Sequence, residues 1–127
     1  MKAIIIAAGS GKRISKDVKD LPKSLLTVNG EPIIAYQIQT LKQVGINNII
    51  VITSTHNEKF EIENVHYIKD HYYNEHDILG SLMEAKDFLK NDVLVLYSDI
   101  IFESKILRQI LDSKGDISIA IDMAWEK

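Results

Sequence analysis

The 127-residue sequence has no cysteine, no large excess of charge of either sign and no long hydrophobic run. The absence of cysteine excludes disulfide bonds and metal sites built from thiolates. A net charge of −3 gives no general basic field that would attract nucleic acid or an anionic membrane. The apolar stretch near the N terminus is too short to cross a bilayer, and it lacks the pattern of a signal peptide. We therefore expect a cytoplasmic protein that binds neither nucleic acid nor membranes.

Hydrophobic residues make up 46% of the sequence and charged residues 26%, which is typical of a globular domain. A chain of this length can bury a sizeable core as one domain over residues 1–127. It contains no internal repeat, low-complexity segment or interdomain linker. Positive charge is concentrated in one place, at Lys12, Arg13, Lys16, Lys19 and Lys23. Any binding of anions is therefore expected to be local.

Strand and helix patterns alternate along the chain. Continuous apolar runs predict buried strands at 2–8 and 49–53, and shorter runs predict strands at 65–68, 92–97 and 117–121. Apolar residues at helical spacing predict helices at 33–45, 80–90 and 105–113. This alternation indicates an α/β three-layer sandwich with a mostly parallel sheet and right-handed crossovers.

Local signals refine the ends of these elements. Asn29-Gly30 predicts a tight turn, and Pro32 suits the first turn of the helix that follows. Ser81 is the predicted N-cap of the helix at 80–90, with Glu84 completing a capping box. The four histidines show no metal-binding spacing, so we expect them to be solvated.

The loop after the first strand is the strongest candidate for a binding site. Small residues at 7–11 let the backbone approach a ligand closely, and successive N–H groups in such a turn can bind an anion. Arg13 and Lys23 supply a planar fork and a point charge for phosphate oxygens. Asp99 ends a later strand, and ligands of parallel sheets bind at the carboxyl ends of strands. These features predict a nucleoside triphosphate site shared by the loop and Asp99.

The glycines alone do not decide between a phosphate loop and an ordinary turn. The run lacks the spacing of a P-loop, and Ile14 stands where a dinucleotide fingerprint has its third glycine. Three segments in order, however, resemble the signature of the nucleotidyltransferase family: IAAGSGKR at 6–13, LPKSLL at 21–26 and VNGEPI at 28–33. Members of that family are Mg²⁺-dependent enzymes that activate sugar phosphates, phosphocholine or phosphonates with a nucleoside triphosphate.

The resemblance implies roles for particular residues. The triphosphate would be wrapped by the loop of Ala7, Ala8, Gly9, Ser10, Gly11, Lys12 and Arg13. Arg13 and Lys23 would be the catalytic cations. Gly80 and Ser81, at a helix start, would offer further donors to the nucleotide.

The resemblance also implies a metal site and acceptor contacts. Asp99 matches the metal-binding aspartate of the family, and Mg²⁺ takes hard oxygen ligands of this kind. A lone aspartate at a strand end is otherwise often a turn or cap residue. Asp77 and Asp122 are the candidate acceptor-binding residues. For Asp122 the alternative is that it only ends a strand.

Later segments, YSDIIF at 97–102 and GDISIAID at 115–122, most resemble phosphonate and phosphocholine cytidylyltransferases. The implied fold is a Rossmann-like (GT-A-like) sheet, present here only as the N-terminal, nucleotide-binding portion and therefore incomplete. The implied reaction moves CMP from CTP onto a small phosphorylated or phosphonate acceptor and releases pyrophosphate. A sugar-1-phosphate nucleotidyltransferase and a non-catalytic nucleotide-binding module stay open as alternatives, as does a homo-oligomer. A glycosyltransferase is disfavoured because the chain lacks a carboxylate-x-carboxylate motif at Asp99.

Overall fold

A parallel sheet of four strands forms the centre of the molecule. The computed structural model describes residues 1–9, 21–54 and 57–124. The strands are β1 (Lys2–Ala7), β2 (Thr27–Val28), β3 (Glu31–Pro32), β4 (Asn48–Thr53), β5 (His66–Lys69) and β6 (Val93–Tyr97). The helices are α1 (Ile33–Gln43), α2 (Ile78–Met83) and α3 (Ser104–Leu111), with short 3₁₀ turns at Lys23–Leu25, Asn57–Lys59 and Lys86–Phe88.

The main sheet has the order β5-β4-β1-β6, and each neighbouring pair is parallel. In this register Ala7 lies opposite Thr53, and Ile6 lies opposite Tyr97. All four carboxyl ends therefore meet at one edge of the sheet. β2 and β3 form a separate antiparallel hairpin. The predicted α/β class and the mostly parallel sheet are confirmed.

Alternate residues of the central strand pack on opposite faces. Ala3 and Ile5 of β1 belong to a buried cluster that includes Ile34 and Leu41 of α1 and Leu107 of α3. Ile4 and Ile6 face the other way, into a second cluster that includes Leu82 of α2. A strand covered on both faces needs continuous apolar sequence, which explains the unbroken run after Lys2. The sheet with helices on both sides is the three-layer sandwich that the sequence predicts.

The hairpin leads directly into α1. Asn29 and Gly30 have φ values of 51° and 83°, the left-handed pair that a two-residue hairpin turn requires. Pro32 has φ −60° and is the N-cap of α1, so its fixed ring fits the position just before the helix. Gly45, at φ 87°, provides the left-handed residue beyond the end of the helix. The predicted turn at Asn29-Gly30 is confirmed.

The connection between β4 and β5 is held by Tyr67. Its hydroxyl donates to the Ile62 carbonyl at 3.0 Å, and its ring lies 6.0 Å from that of Phe60. Burial raises the pKa of the Tyr67 phenol, and the hydrogen bond to Ile62 opposes part of that rise. This tyrosine is a packing residue and lies outside the candidate site. In the described part of the chain, no helix has the length and apolar character needed to cross a membrane.

Two predicted elements differ from the structure. The predicted helix at 80–90 is only α2 followed by the 3₁₀ turn at Lys86–Phe88. The predicted fifth strand at 117–121 is wrong, since this described segment has no strand pairing. Its isoleucines at 117, 119 and 121 are 85%, 77% and 71% exposed. Alternating apolar residues favour a strand, but a strand forms only where a partner strand offers hydrogen bonds.

Candidate functional site

The sheet changes its winding direction between β1 and β6. From β1 the chain moves outward to β4 and β5, and then returns to the opposite side of β1 as β6. At such a switch point the loops after two neighbouring strands leave in opposite directions and open a crevice at the carboxyl edge. Gly9 follows β1 and Asp99 follows β6. The structure therefore places Gly9, from the described part of the predicted phosphate loop, and Asp99, the predicted metal ligand, after neighbouring strand ends.

The end of β1 combines buried alanines with an open glycine. Ala7 and Ala8 are buried, whereas Gly9 is exposed. A Cβ atom built on Gly9 would meet no described residue within 4 Å. Contact between Gly9 and a ligand stays a prediction. The other predicted loop residues, Ser10, Gly11, Lys12 and Arg13, lie outside the described residues.

Lys23 begins a rigid turn that contacts α1. Pro22 is buried, and its carbonyl accepts from the Leu25 N–H at 2.9 Å. The Leu26 carbonyl accepts from the Ile33 N–H at 3.0 Å, which attaches the turn to the first residue of α1. Lys23 is half-buried, and no other described residue pairs with its ammonium group. The binding of a phosphate oxygen by Lys23 stays a prediction.

Asp99 lies exposed in the turn after β6. Its carboxylate has no hydrogen bond or ion pair with another described residue, and no group of three metal-ligating side chains surrounds it in the described ranges. Mg²⁺ is commonly held by one or two carboxylates together with substrate phosphates and water. Asp99 is a residue of the type that could hold such an ion, and its role as a metal ligand stays a prediction.

The segment after β5 is organised by a buried carboxylate that the sequence did not reveal. Asp70 is 0% exposed. It accepts hydrogen bonds from the Tyr72 N–H at 2.9 Å and the Ser81 hydroxyl at 2.7 Å. The Nδ1 atom of His76 lies 3.0 Å from each of its two oxygens. The prediction that the histidines are solvated is therefore wrong for His76, which is part of this network.

Asp70, His76 and Glu84 together are residue types that bind metals, and their ligand atoms lie within 4.8 Å of one another. Hydrogen bonding already accounts for the arrangement, however. An ionised carboxylate only accepts, so the contacts of His76 with Asp70 place the proton on Nδ1 and make it a donor. Glu84 is more distant, at 3.9 Å from the same nitrogen. We interpret the cluster as a structural hub that fixes residues 70–84 to the sheet.

The start of α2 corrects the predicted capping pattern. Its N-cap is Asp77, whose Oδ1 accepts from the Gly80 N–H at 2.8 Å. Ser81 is not the cap, because its hydroxyl bonds to Asp70. Glu84 does not close a capping box, since it lies beyond the end of α2 and faces His76. A side-chain cap must precede the first residue of its helix. A cap at Ser81 would require a helix that begins at residue 82, but α2 begins at Ile78.

This geometry also bears on the predicted ligand contacts of α2. The N–H groups of Gly80 and Ser81 are both engaged by Asp77, at 2.8 and 3.0 Å. A Cβ on Gly80 would lie 2.9 Å from Cγ of His76, so the glycine is needed for the close approach of that ring. The nucleotide contacts of Gly80 and Ser81, and the acceptor contact of Asp77, stay predictions.

Asp122 is not brought to the carboxyl edge by a strand. It lies in the exposed segment that follows α3, and its Oδ1 accepts from the Ala124 N–H at 2.8 Å. The predicted strand that would have carried it to the crevice does not form. Its role as an acceptor-binding residue stays a prediction without support from the sheet.

The fold is of the α/β class with a parallel sheet, and Gly9 and Asp99 follow two neighbouring strands of that sheet. Residues 3–123 match the family described as the MobA-like NTP transferase domain. The match extends over most of the chain, and the chain belongs to this family. The resemblance seen in the sequence is thereby confirmed.

Several relatives with recorded activities are similar to this chain. CTP:phosphoglutamine cytidylyltransferase of Campylobacter jejuni is 31% identical over 140 residues, covering 100% of this chain and 54% of the relative. A bifunctional sugar-1-phosphate nucleotidylyltransferase/acetyltransferase of Sulfurisphaera tokodaii is 32% identical, covering 100% of this chain and 32% of the relative. The solved structure of CTP:phosphocholine cytidylyltransferase from Streptococcus pneumoniae superposes with a TM-score of 0.72 at 35% identity, covering 82% of this chain and 49% of that one. This chain spans about half the length of the two cytidylyltransferases.

Proposed function

We propose that the protein is a nucleotidyltransferase that moves CMP from CTP onto a small acceptor with a phosphate or phosphonate group and releases pyrophosphate. The observation that carries this proposal is the placement of Gly9 and Asp99 on neighbouring strand ends at the switch point. CTP is favoured because two of the similar proteins are named as CTP-dependent enzymes. Phosphocholine and phosphonates are the acceptors that we would test first.

The reaction forms one phosphorus–oxygen bond and breaks another. An acceptor oxygen attacks the α-phosphorus of CTP, and the bond from that phosphorus to the β-phosphate oxygen breaks, so that pyrophosphate leaves with the electron pair. No covalent intermediate with the protein is needed, so catalysis consists of positioning and charge stabilisation. Lys23 and Arg13 would bind the oxygens on which negative charge accumulates. The loop at 7–13 would hold the triphosphate through its backbone donors.

Mg²⁺ is the cofactor that this proposal requires, and Asp99 is the residue that would hold it. When bound, the ion would neutralise phosphate charge and orient the phosphate oxygens. Asp99 would contribute an exposed carboxylate beside the end of β6, which has no partner among the described residues, and would so determine where the ion lies. This assignment uses only one carboxylate of the chain, in agreement with the way Mg²⁺ shares its ligands with nucleotides.

Substitution of Lys23 and Asp99 in the complete protein tests the assignment. We expect Lys23→Ala and Asp99→Ala each to lower the rate of pyrophosphate release about 100-fold or more, since each removes a charge aimed at the transition state. Asp92→Ala and Lys90→Ala are matched controls, because both residues are exposed at the opposite, amino-terminal end of β6. Near-normal pyrophosphate release by either site variant, with the controls also normal, would show that the roles are misassigned.

Two other functions are distinguishable from this one. The similarity to a sugar-1-phosphate nucleotidylyltransferase favours a sugar 1-phosphate as the alternative acceptor. A non-catalytic module that only binds nucleotide is the third possibility, because Asp99 has no second carboxylate beside it among the described residues. Calorimetry with CTP and Mg²⁺, combined with a pyrophosphate assay over phosphocholine, aminoethylphosphonate and glucose 1-phosphate, separates all three. Binding of CTP without turnover on any acceptor would indicate the module.

A further inference from the structure

Gln37 is a buried polar residue on the face of α1 that packs against the sheet. The buried positions of this helix are Ile34, Gln37, Ile38 and Leu41, so an amide stands in an otherwise apolar row. Gln37 is 1% exposed. A polar side chain in such a place lowers stability unless its hydrogen bonds compensate for the lost hydration. The partners of this amide therefore indicate why it is there.

Both donors of the Gln37 amide reach across to the turn after β6. Its Nε2 atom donates to the Tyr97 carbonyl and to the Ile100 carbonyl, each at 2.7 Å. These two carbonyls lie on either side of Ser98 and Asp99. The amide cannot be reversed, because its oxygen would then face two carbonyl oxygens. The side chain therefore clamps the two ends of the turn that carries Asp99.

The other end of the same amide has no partner among the described residues. Oε1 of Gln37 is buried without a hydrogen bond to any described residue. An unpaired buried acceptor is unfavourable, and an apolar side chain such as methionine would avoid it. The amide is thus a poor choice for stability alone. What it provides, and methionine would not, is the pair of bonds to the Asp99 turn.

The helix that carries Gln37 also contacts the Lys23 turn. Ile33, one turn earlier, donates its N–H to the Leu26 carbonyl at 3.0 Å. α1 is therefore bonded at its start to the segment of the predicted phosphate-binding lysine, and at Gln37 to the turn of the predicted metal ligand. A single rigid helix fixes both features relative to one another.

We propose that Gln37 is a positioning residue, which holds the turn of Asp99 in the geometry needed to bind the divalent metal of a metal–nucleotide complex. The inference rests on the proposed function, because it takes Asp99 as the metal ligand. Gln37 itself touches neither metal nor nucleotide. It acts by limiting the conformations of the turn, so that the carboxylate is already placed when the nucleotide arrives.

The test compares Gln37→Met with Gln39→Met in the complete protein. Gln39 lies on the same helix and is exposed, so its substitution changes the same chemistry away from the turn. The first measurement is amide hydrogen exchange of residues 98–101 without metal or nucleotide. We expect exchange in this turn to be at least about tenfold faster in Gln37→Met, because opening no longer breaks the two clamping bonds. In Gln39→Met it should be unchanged.

The second measurement is binding of Mn²⁺, used as a paramagnetic substitute for Mg²⁺, in the presence of a non-hydrolysable CTP analogue. Free Mn²⁺ is read by electron paramagnetic resonance. We expect Gln37→Met to weaken binding about tenfold, which corresponds to roughly 1.4 kcal/mol. The unfolding midpoint in urea should change little, because the substitution also removes the unpaired acceptor.

Asp99→Asn separates failure of this proposal from failure of the proposed function. If Asp99→Asn leaves Mn²⁺ binding unchanged, the metal assignment itself is wrong. If Asp99→Asn weakens Mn²⁺ binding while Gln37→Met leaves both Mn²⁺ binding and exchange of the turn unchanged, the positioning role of Gln37 is overturned. Should Gln37→Met fail to fold, Gln37→Asn decides in its place, because its amide is one methylene too short to reach both carbonyls.

Discussion

At the scale of single residues, Gly80 shows how a glycine can be required by a neighbouring side chain. A Cβ at this position would lie 2.9–3.0 Å from three atoms of His76, and contacts with Asp70 hold that ring in place. Alanine normally stabilises a helix by up to about 1 kcal/mol relative to glycine. Here the steric contact opposes that gain. The helix propensity of alanine and the steric contact with His76 change the free energy of unfolding in opposite directions, so one experiment shows which is larger.

We expect Gly80→Ala to lower the free energy of unfolding by about 1–2 kcal/mol, because the cost of overpacking exceeds the gain in helix propensity. In a His76→Gly background, which removes all three contacting atoms, the same substitution should be neutral or stabilising. Urea denaturation of the four proteins of this double-mutant cycle gives the coupling energy. An equal effect of Gly80→Ala in both backgrounds would contradict the steric explanation.

The sequence predicted which residues belong to the candidate site, but it did not predict which residues hold them in place. Gly9 and Asp99 were predicted from their positions at the ends of apolar runs, and the parallel sheet places them on neighbouring strands. Asp70 and Gln37 were missed because neither belongs to a local pattern. The partners of Asp70 lie up to 11 residues away and those of Gln37 lie 60 and 63 residues away, and such distant pairings become visible only in the folded chain.

At the scale of secondary-structure elements, α2 depends on the side chain that caps it. The helix has only six residues, and Asp77 satisfies one of its free N–H groups. Asp77 is also the predicted acceptor contact. The two roles make different demands on the side chain, because asparagine caps a helix as well as aspartate does but carries no negative charge.

We expect Asp77→Ala to lower the free energy of unfolding by about 1 kcal/mol and Asp77→Asn to leave it nearly unchanged, as for other N-caps. The unfolding midpoint in urea measures this effect. Steady-state kinetics of Asp77→Asn then isolates the acceptor role, since a change of the acceptor KM at unchanged stability requires contact with the charged group. If alanine and asparagine variants are equally stable, capping is not what Asp77 contributes.

Elements with a strong local pattern were predictable, and those that depend on distant partners were not. β1 and β4 follow from continuous apolar runs, and α1 follows from apolar residues at helical spacing after the Asn29-Gly30 turn. The segment 117–121 has an equally clear alternating pattern, yet it has no strand pairing and is exposed. A strand needs a second segment with which to form hydrogen bonds. An alternating pattern in one segment therefore predicts a strand only if such a partner is present.

At the scale of the whole molecule, many large apolar side chains of the described residues are exposed. β6 is an edge strand, and Val95 and Tyr97 on it are 44% and 53% exposed. The isoleucines of 117–121 and Met123 add to the exposed apolar area. Contiguous patches of exposed apolar side chains often mark surfaces to which another protein or protein segment binds. The chain also spans about half the length of the cytidylyltransferases it matches.

We therefore expect the 127-residue chain, expressed by itself, to bind the dye ANS and to self-associate as its concentration rises. A variant in which Ile117, Ile119 and Ile121 are all serine should bind distinctly less dye, because these side chains provide exposed apolar area without contributing to the core. Dye fluorescence and sedimentation velocity measure the two effects. If the chain stays monomeric and binds no dye at high concentration, these exposed side chains do not promote association.

We propose above all that the protein transfers a nucleotide at the ends of β1 and β6. Release of pyrophosphate that depends on an acceptor tests this proposal most directly. With the complete protein, CTP and Mg²⁺, we predict that pyrophosphate appears only when an acceptor such as phosphocholine or aminoethylphosphonate is added, in equal amount to the CMP-linked product. The account would be contradicted if the protein bound CTP but released no pyrophosphate with any phosphate, phosphonate or sugar 1-phosphate acceptor.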